Sequence, residues 1–220
     1  MIGERLRKVR AEVIAACTES DRDPATVQLI AVSKTHTAAA VIEAHGAGQI
    51  DFGESYPQEL RDKALAIDGV RWHFIGRLQR NKAKYVAPVA FRVHSLESVA
   101  QAEALAKRAP GPLKCLLSVN IALEESKGGV RPDRALDTCR TLHGVPGIEM
   151  VGLMCLPPAV EDPEDSQPWF AELAHLAAEG RSDGLPLNEL SMGMSSDFAV
   201  AIRNGANWIR VGTAIFGPRS

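Results

Sequence analysis

The sequence predicts an α/β protein folded as a single (β/α)8 barrel of the TIM type. Two observations support this prediction. Eight short runs of strand-forming residues alternate with segments of helical periodicity along the 220 residues. The length also suits the fold, which typically needs ~250 residues and rarely fewer than about 200. A doubly wound open sheet is the competing architecture, because periodicity alone does not separate the two.

Eight strands are predicted in order along the chain. They are Val27–Lys34, Gln49–Glu54, Arg71–Gly76, Phe91–Leu96, Leu113–Ile121, Glu149–Cys155, Glu189–Met194 and Trp208–Phe216.

Helices are predicted between the strands, among them Glu97–Arg108, Pro132–His143 and a segment around Trp169–Gly180. An additional amphipathic helix, roughly Gly3–Ser20, is expected to cover the gap between the first and last strands. The sequence ends four residues after Phe216, so we expect no helix after the eighth strand and no carboxyl-terminal β domain. We therefore predict one domain, residues 1–220.

Composition excludes several functional classes. Lys plus Arg number 25 and Asp plus Glu number 27, so the chain lacks the strongly basic character of a nucleic-acid-binding protein. No apolar run is long enough to predict a membrane span, and the charged amino terminus does not resemble a signal peptide. The four cysteines are scattered without metal-site spacing, which indicates no metal site and a reducing, cytoplasmic location.

Lys34 is the first candidate functional residue. It ends the apolar run Leu29-Ile30-Ala31-Val32-Ser33, where burying an unpaired ammonium is expensive. One interpretation is that the side chain simply reaches the solvent at the barrel rim. The other is an amine kept partly neutral by desolvation, suited to forming a Schiff base with a carbonyl.

The ends of the last two strands predict a phosphate site. Gly193 allows close backbone approach, and Ser195 or Ser196 can cap the helix that follows, whose first amides would attract an anion. Gly212 and Thr213 after the eighth strand again offer backbone N–H groups and a hydroxyl. Loops after strands seven and eight commonly bind phosphate in this fold, although each stretch alone could be ordinary turn chemistry.

Arg210 alternates with the apolar residues of the eighth strand, so it points to the opposite face. If that face is the barrel lumen, the guanidinium needs an acceptor there. A ligand's pyridine nitrogen would serve. Alternatively, Arg210 pairs with a carboxylate such as Glu54 or Asp197.

Several ordered motifs in the chain resemble one known family over about residues 6–219. They are Ala31-Val32-Ser33-Lys34-Thr35, Phe52-Gly53-Glu54, Trp72-His73-Phe74-Ile75-Gly76, Leu78-Gln79, Asn81-Lys82, Gly152-Leu153-Met154, Ser191-Met192-Gly193-Met194-Ser195 and Val211-Gly212-Thr213-Ala214-Ile215-Phe216-Gly217. The family is that of the pyridoxal phosphate homeostasis proteins, whose fold is similar to the N-terminal barrel of alanine racemase.

The resemblance implies a role for each candidate residue. Lys34 is implied to form the covalent Schiff base with pyridoxal 5′-phosphate (PLP). Ser191, the amides near 193–195 and the Gly212-Thr213 pair are implied to hold its phosphate. Arg210 is implied to be the partner of its pyridine nitrogen.

Two positions differ from the usual pattern of that family. Ser55 stands where an asparagine is usual, before Tyr56, and the shorter side chain puts any hydrogen bond from this position to the cofactor in doubt. The segment Asn120–Gly129 carries Glu125 where a smaller polar residue is common. We interpret Lys127 in that segment as a solvated loop lysine.

Two functional hypotheses follow, and a third ignores PLP. The first is a non-catalytic, monomeric PLP carrier that releases the cofactor to apo-enzymes. An always-charged arginine weakens the ring as an electron sink, and no second domain is expected to supply the tyrosine base of alanine racemases. The second is a weak amino-acid racemase using Lys34 and His73, although His73 also suits a structural hydrogen bond. The third is a barrel that binds sugar phosphates.

Overall fold

Eight parallel strands close into a barrel in the computed structural model of this protein, which describes residues 1–218. Arg219 and Ser220, the last two residues of the predicted domain, lie outside the described residues. The strands follow one another around the barrel in chain order: β1 (Gln28–Val32), β2 (Asp51–Glu54), β3 (Arg71–Phe74), β4 (Arg92–Leu96), β5 (Leu113–Val119), β6 (Ile148–Cys155), β7 (Glu189–Ser191) and β8 (Trp208–Val211).

Pairing between the first and last strands decides the architecture. Strand β1 runs parallel to β8 in a continuous register from Gln28 opposite Trp208 to Ala31 opposite Val211. An open doubly wound sheet has two unpaired edges, so this pairing excludes it. The predicted (β/α)8 barrel is confirmed.

Helices surround the barrel, and the apolar core lies between them and the outer faces of the strands. Along residues 1–218 they are α1 (Ile2–Glu19), α2 (Ala38–Gly46), α3 (Pro57–Ala66), α4 (Ala83–Val86), α5 (Val99–Ala106), α6 (Pro132–His143), α7 (Gln167–Ser182), α8 (Phe198–Arg203) and α9 (Thr213–Phe216), with 3-10 turns at Pro24–Thr26, Arg80–Lys82 and Pro163–Ser166. No helix in this described part of the chain is long and apolar enough to cross a membrane.

The amino-terminal helix packs where the barrel closes. Buried residues of α1, including Leu6, Val9 and Val13, recur at helical spacing and form its apolar face. That face contacts α2, α8 and α9, which flank strands β1 and β8. Helix α1 therefore covers the junction of the first and last strands, as predicted.

The eighth strand is shorter than predicted, and the expectation that no helix follows it is wrong. Strand β8 ends at Val211, and α9 begins at Thr213. The amides of Ile215 and Phe216 both donate to the carbonyl of Gly212, which closes a helical turn. An apolar run of this length fits a buried strand or a buried helical turn equally well, and only the barrel geometry decides between them. Strand β7 likewise ends at Ser191, three residues before the predicted Met194.

Candidate binding site at the carboxyl ends of the strands

A cavity of about 730 Å³ opens at the carboxyl ends of the strands, between the loops that follow β1, β2, β3, β6, β7 and β8. It brings together five of the predicted site residues: Lys34, Ser195, Arg210, Gly212 and Thr213. Ser191 and Gly193, the other two, are not on its wall. The remaining lining residues are Val32, His36, Ser55, Ile75, Gly76, Arg77, Met154, Leu156, Ala159, Met194 and Ser196.

Lys34 lies in a tight turn immediately after β1. The amide of His36 donates to the carbonyl of Ser33 at 3.1 Å, which closes the turn. Thr35 adopts a left-handed conformation with φ of 68°, unusual for a β-branched residue. The ring of His36 stacks on Phe216 at 5.0 Å between centroids, so the loop after β1 is packed against α9. These contacts place half-buried Lys34 on one wall of the cavity.

The loop after β7 owes its shape to Gly193. Its φ is 91°, and a Cβ atom there would lie 2.6 Å from the Cβ of Ala201 and 3.0 Å from the Cα of Phe198. Gly193 therefore permits the loop to turn against α8, whereas the sequence predicted that it permits close approach of a ligand.

Polar groups of the last two loops meet on one side of the cavity. The hydroxyls of Thr213 and Ser195 lie 3.4 Å apart. Neither Ser195 nor Ser196 caps α8 as predicted; Asp197 is the N-cap residue, and its carboxylate accepts the amide of Met194 at 2.6 Å. The two serine side chains are therefore not used in capping the helix, and they line the cavity with Gly212 and Thr213.

Arg210 points to the face opposite its apolar neighbours, as predicted; that face is the barrel lumen, where Arg210 forms part of the cavity floor. Its Nη1 donates to the hydroxyl of Ser191 at 2.7 Å and its Nη2 to the carbonyl of Cys155 at 2.8 Å. Glu54 instead accepts from Ser33 and Lys63, and among the described residues Arg210 forms no ion pair with Glu54 or Asp197. The alternative of a carboxylate partner is therefore wrong.

Behind Arg210, a chain of hydrogen bonds crosses the lumen to the opposite end of the barrel. Arg210 contacts Ser191; Ser191 contacts Nδ1 of His94 at 2.8 Å. Nε2 of His94 contacts Nδ1 of His73 at 2.9 Å, and Nε2 of His73 contacts Asp51 at 2.8 Å. Burial disfavours the charged form of both imidazoles, so each ring carries one proton. Because an ionised carboxylate can only accept, neutral His73 carries its proton on Nε2 and accepts at Nδ1 from Nε2 of His94, which leaves Nδ1 of His94 to accept from the Ser191 hydroxyl.

The pKa shifts agree with this assignment. Burial lowers the pKa of His73, and that of His94 falls well below its usual value for the same reason. Burial alone would raise the pKa of the Asp51 carboxyl, but hydrogen bonds from His73 and Arg71 outweigh it and lower that pKa. An ionised Asp51 beside two neutral imidazoles is the protonation state that the hydrogen-bonded chain requires.

This hydrogen-bonded chain bears on the interpretation of two candidate residues. Ser191 is fully buried and supports Arg210 from below, so its side chain is not placed to meet a phosphate in the cavity. His73 is also fully buried, beneath the cavity in the lumen, which supports its interpretation as a structural hydrogen bonder. His94 belongs to none of the candidate motifs, although its alternation and that of Arg92 with Phe91 and Val93 in a strand indicates an inward-facing polar row.

Two further predictions concern positions near the mouth of the barrel. Ser55 lines the cavity, whereas the neighbouring Tyr56 is exposed and does not. Lys127, expected to be a solvated loop lysine, is partly exposed, and its ammonium lies 2.8 Å from a Glu124 carboxylate oxygen of the same loop and 3.2 Å from the carbonyl of Leu156.

Comparisons with known proteins agree with this architecture. The family model described as "Alanine racemase, N-terminal domain" matches residues 13–220. The pyridoxal phosphate homeostasis protein of Pseudomonas aeruginosa is 41% identical over 223 residues, covering 99% of this chain and 96% of that protein. The protein of the same description in Escherichia coli K12 is 37% identical, covering 99% and 97%.

Solved structures extend the likeness to three dimensions. PipY of Synechococcus elongatus without PLP is 37% identical with a TM-score of 0.87, covering 99% of this chain and all of that one. The same protein with PLP bound gives a TM-score of 0.85 at 36% identity and the same coverage. Alanine racemase from Corynebacterium glutamicum shares the fold at 20% identity and a TM-score of 0.73, with 99% of this chain matching 61% of that one.

Proposed function

This chain belongs to the family of pyridoxal phosphate homeostasis proteins, and we propose that it binds PLP at the strand-end cavity and acts as a carrier in PLP homeostasis. One observation carries the proposal: the cavity gathers an amine, a guanidinium and a cluster of hydroxyls. PLP carries an aldehyde, a pyridine nitrogen and a phosphate. The relatives' description and the PLP-bound PipY structure support the same ligand.

The residues of the cavity fit the three groups of PLP. Lys34 is the amine that would hold the aldehyde, by a condensation that forms a C=N bond and releases one water. Ser195, Gly212 and Thr213 would hold the phosphate through hydroxyl and backbone N–H groups. Gly212 packs closely against β1, since a Cβ atom there would lie 3.3 Å from the carbonyl oxygen of Val32. Gly193 and Ser191 support this site from outside the cavity.

Arg210 would meet the pyridine nitrogen as a donor. Because the guanidinium carries only N–H groups, its partner on the ligand must be an acceptor, which keeps the ring nitrogen unprotonated. The bonds to Ser191 and Cys155 hold the guanidinium in place for this contact. A protonated ring is what gives PLP its strength as an electron sink, so this contact favours holding the cofactor over catalysis.

The position of the histidines also favours a carrier over the alternative, a weak racemase. Racemisation needs a proton removed from one face of the substrate and returned to the other. His73, the base suggested by the sequence, lies buried in the lumen. His36 lines the cavity, but its ring stacks on Phe216, and it lies in the same turn as Lys34.

A visible-range spectrum tests the binding proposal. The purified protein mixed with PLP should show an absorbance band near the visible edge that borohydride bleaches. Lys34→Ala should lose the band, whereas the exposed Lys8→Ala should keep it. A band that persists in Lys34→Ala refutes the assignment of the amine, and no PLP binding at all would favour the sugar-phosphate hypothesis.

Deuterium exchange tests the carrier against the enzyme. The PLP-loaded protein is incubated with a panel of amino acids in deuterium oxide, and incorporation at the α-carbon is followed. We expect exchange far below ordinary enzyme rates, which are on the order of 1 per second or faster. Turnover at such rates would overturn the carrier proposal.

The wider role comprises three further proposals. PLP release to apo-enzymes is tested by reconstituting an apo-enzyme from the loaded protein beside an equal concentration of free PLP. A monomer is tested by sedimentation equilibrium. A reducing, cytoplasmic location is supported by four buried thiols, Cys17, Cys115, Cys139 and Cys155, none of them in a disulfide.

A further inference from the structure

The turn that carries Lys34 is held by a second lysine on another element. Lys63 lies in the last turn of α3 and is buried, which is uncommon for a lysine without several partners. Its ammonium donates to the carbonyl of Ser33 at 2.7 Å, to Glu54 at 2.7 Å and to Glu59 at 2.8 Å. The three N–H groups of the ammonium therefore have one acceptor each.

These contacts reach the backbone on both sides of Lys34. The Ser33 carbonyl belongs to the residue before Lys34 and bonds Lys63 directly. The amide of Thr35, the residue after it, donates to the same Glu59 oxygen that Lys63 holds, at 2.8 Å. One buried cation thus anchors the two peptide groups that flank the proposed amine.

The turn needs such an anchor because its backbone is strained. A left-handed conformation is disfavoured for a β-branched residue, and Thr35 holds it at φ of 68°. A strained residue persists only where surrounding bonds enforce it. The hydrogen bond from the Thr35 amide to Glu59 enforces this conformation directly, and Lys63 holds Glu59 in place.

The two carboxylates bonded to Lys63, those of Glu54 and Glu59, depend on its positive charge. Glu54 is fully buried, and burial raises the pKa of its carboxyl although Lys63 and Ser33 act in the opposite direction. Without the ammonium, Glu54 would be a buried carboxylate with no cation, and it would take up a proton or draw in water. Glu59 would also lose the partner that orients it toward Thr35.

We propose that Lys63 is a positioning residue for Lys34: it sets the turn from Ser33 to Thr35 so that the Lys34 amine is directed into the cavity. The role of Lys34 itself rests on the proposed function. Lys63 is not on the cavity wall and would act only through the backbone of the turn and Glu59.

The first test is on the protein without cofactor. Amide hydrogen exchange is measured by mass spectrometry for peptides covering residues 33–36 in wild type, Lys63→Met and Lys63→Arg. We expect at least tenfold faster exchange there in Lys63→Met, with partial recovery in Lys63→Arg because it keeps a cationic donor. Arg22→Met is the control, since Arg22 is a cation that donates to the backbone carbonyls of Ile202 and Ala206 and to the hydroxyl of Thr26, all outside residues 33–36. Its exchange at 33–36 should match wild type.

The second test follows the rate at which the PLP absorbance band appears. Lys63→Met should slow it at least tenfold, whereas Arg22→Met should keep the wild-type rate. Unchanged exchange and unchanged rate in Lys63→Met overturn the proposal. If wild type forms no band, the proposed function fails, and the exchange measurement still decides the role of Lys63.

A second variant tests the proposal if Lys63→Met fails to fold. If exchange in Lys63→Met is fast throughout the chain, Glu59→Ala replaces it, because Glu59 is partly exposed and its loss removes the acceptor of the Thr35 amide. Faster exchange confined to 33–36 with a slower band supports the proposal. Wild-type behaviour of Glu59→Ala refutes it.

Discussion

The clash predicted at Gly193 can be separated from backbone strain by comparing two glycines. Gly193 and Gly184 have nearly the same positive φ, 91° and 82°. A Cβ at Gly193 would lie 2.6 Å from the Cβ of Ala201, whereas a Cβ at Gly184 would have no atom within 4 Å. Gly193→Ala and Gly184→Ala therefore share the conformational penalty and differ in the steric one.

The expected losses of stability follow from the conformational penalty and the steric penalty. A left-handed alanine costs about 1–2 kcal/mol, and both variants lose the same freedom of the unfolded chain. Overpacking adds about 1–3 kcal/mol at Gly193 alone. We expect Gly184→Ala to be destabilised by about 1–2 kcal/mol and Gly193→Ala by about 2–5 kcal/mol.

Urea unfolding followed by circular dichroism measures both free energies of unfolding. Thermal melts give a second readout, with a difference in Tm of about 2–12 °C between the variants, at about 2–4 °C per kcal/mol for a chain of this size. Equal losses in the two variants would refute the steric reasoning. The loop from Met194 to Ser196 should also shift in Gly193→Ala, so PLP should bind more weakly to it than to Gly184→Ala.

Two further predictions concern the lumen. Burial places the pKa of His94 in the folded state well below its unfolded value of about 6.5. Neutral His94 therefore makes its full contribution to the free energy of unfolding above about pH 6.5. As the pH falls below that value, the contribution is lost at up to about 1.4 kcal/mol per pH unit. The free energy of unfolding in urea, measured between pH 7 and 5, should depend less steeply on pH in His94→Gln than in wild type, and equally steeply in the exposed His143→Gln. The same pH dependence in His94→Gln and wild type would contradict this. Ser191→Ala should cost about 1–3 kcal/mol, because Arg210 loses an acceptor inside the lumen. Ser95→Ala is the control, since that buried hydroxyl has no hydrogen-bond partner within residues 1–218, and equal costs for the two serines would count against the proposed support of Arg210.

Local pattern was enough to predict much of this molecule. The alternation of strands and helices predicted a barrel, and its closure through β1 and β8 agrees. Lys34 stood out as a candidate because an ammonium at the end of an apolar strand is costly. Gly212 and Thr213 stood out because residues that follow the eighth strand commonly offer N–H groups to a ligand in this fold. These features lie within a few residues of one another, which is the range over which periodicity and turn chemistry carry information.

The tertiary structure decided the rest because its contacts join residues far apart in the chain. His94 and Ser191 bond across the lumen from strands 97 residues apart, and nothing local to either residue indicates the other. The same holds for Lys63, whose sequence context is an ordinary helix end. Helical or strand periodicity determines which face a side chain takes; only closing the barrel determines what that side chain meets, since eight inward faces then share one lumen.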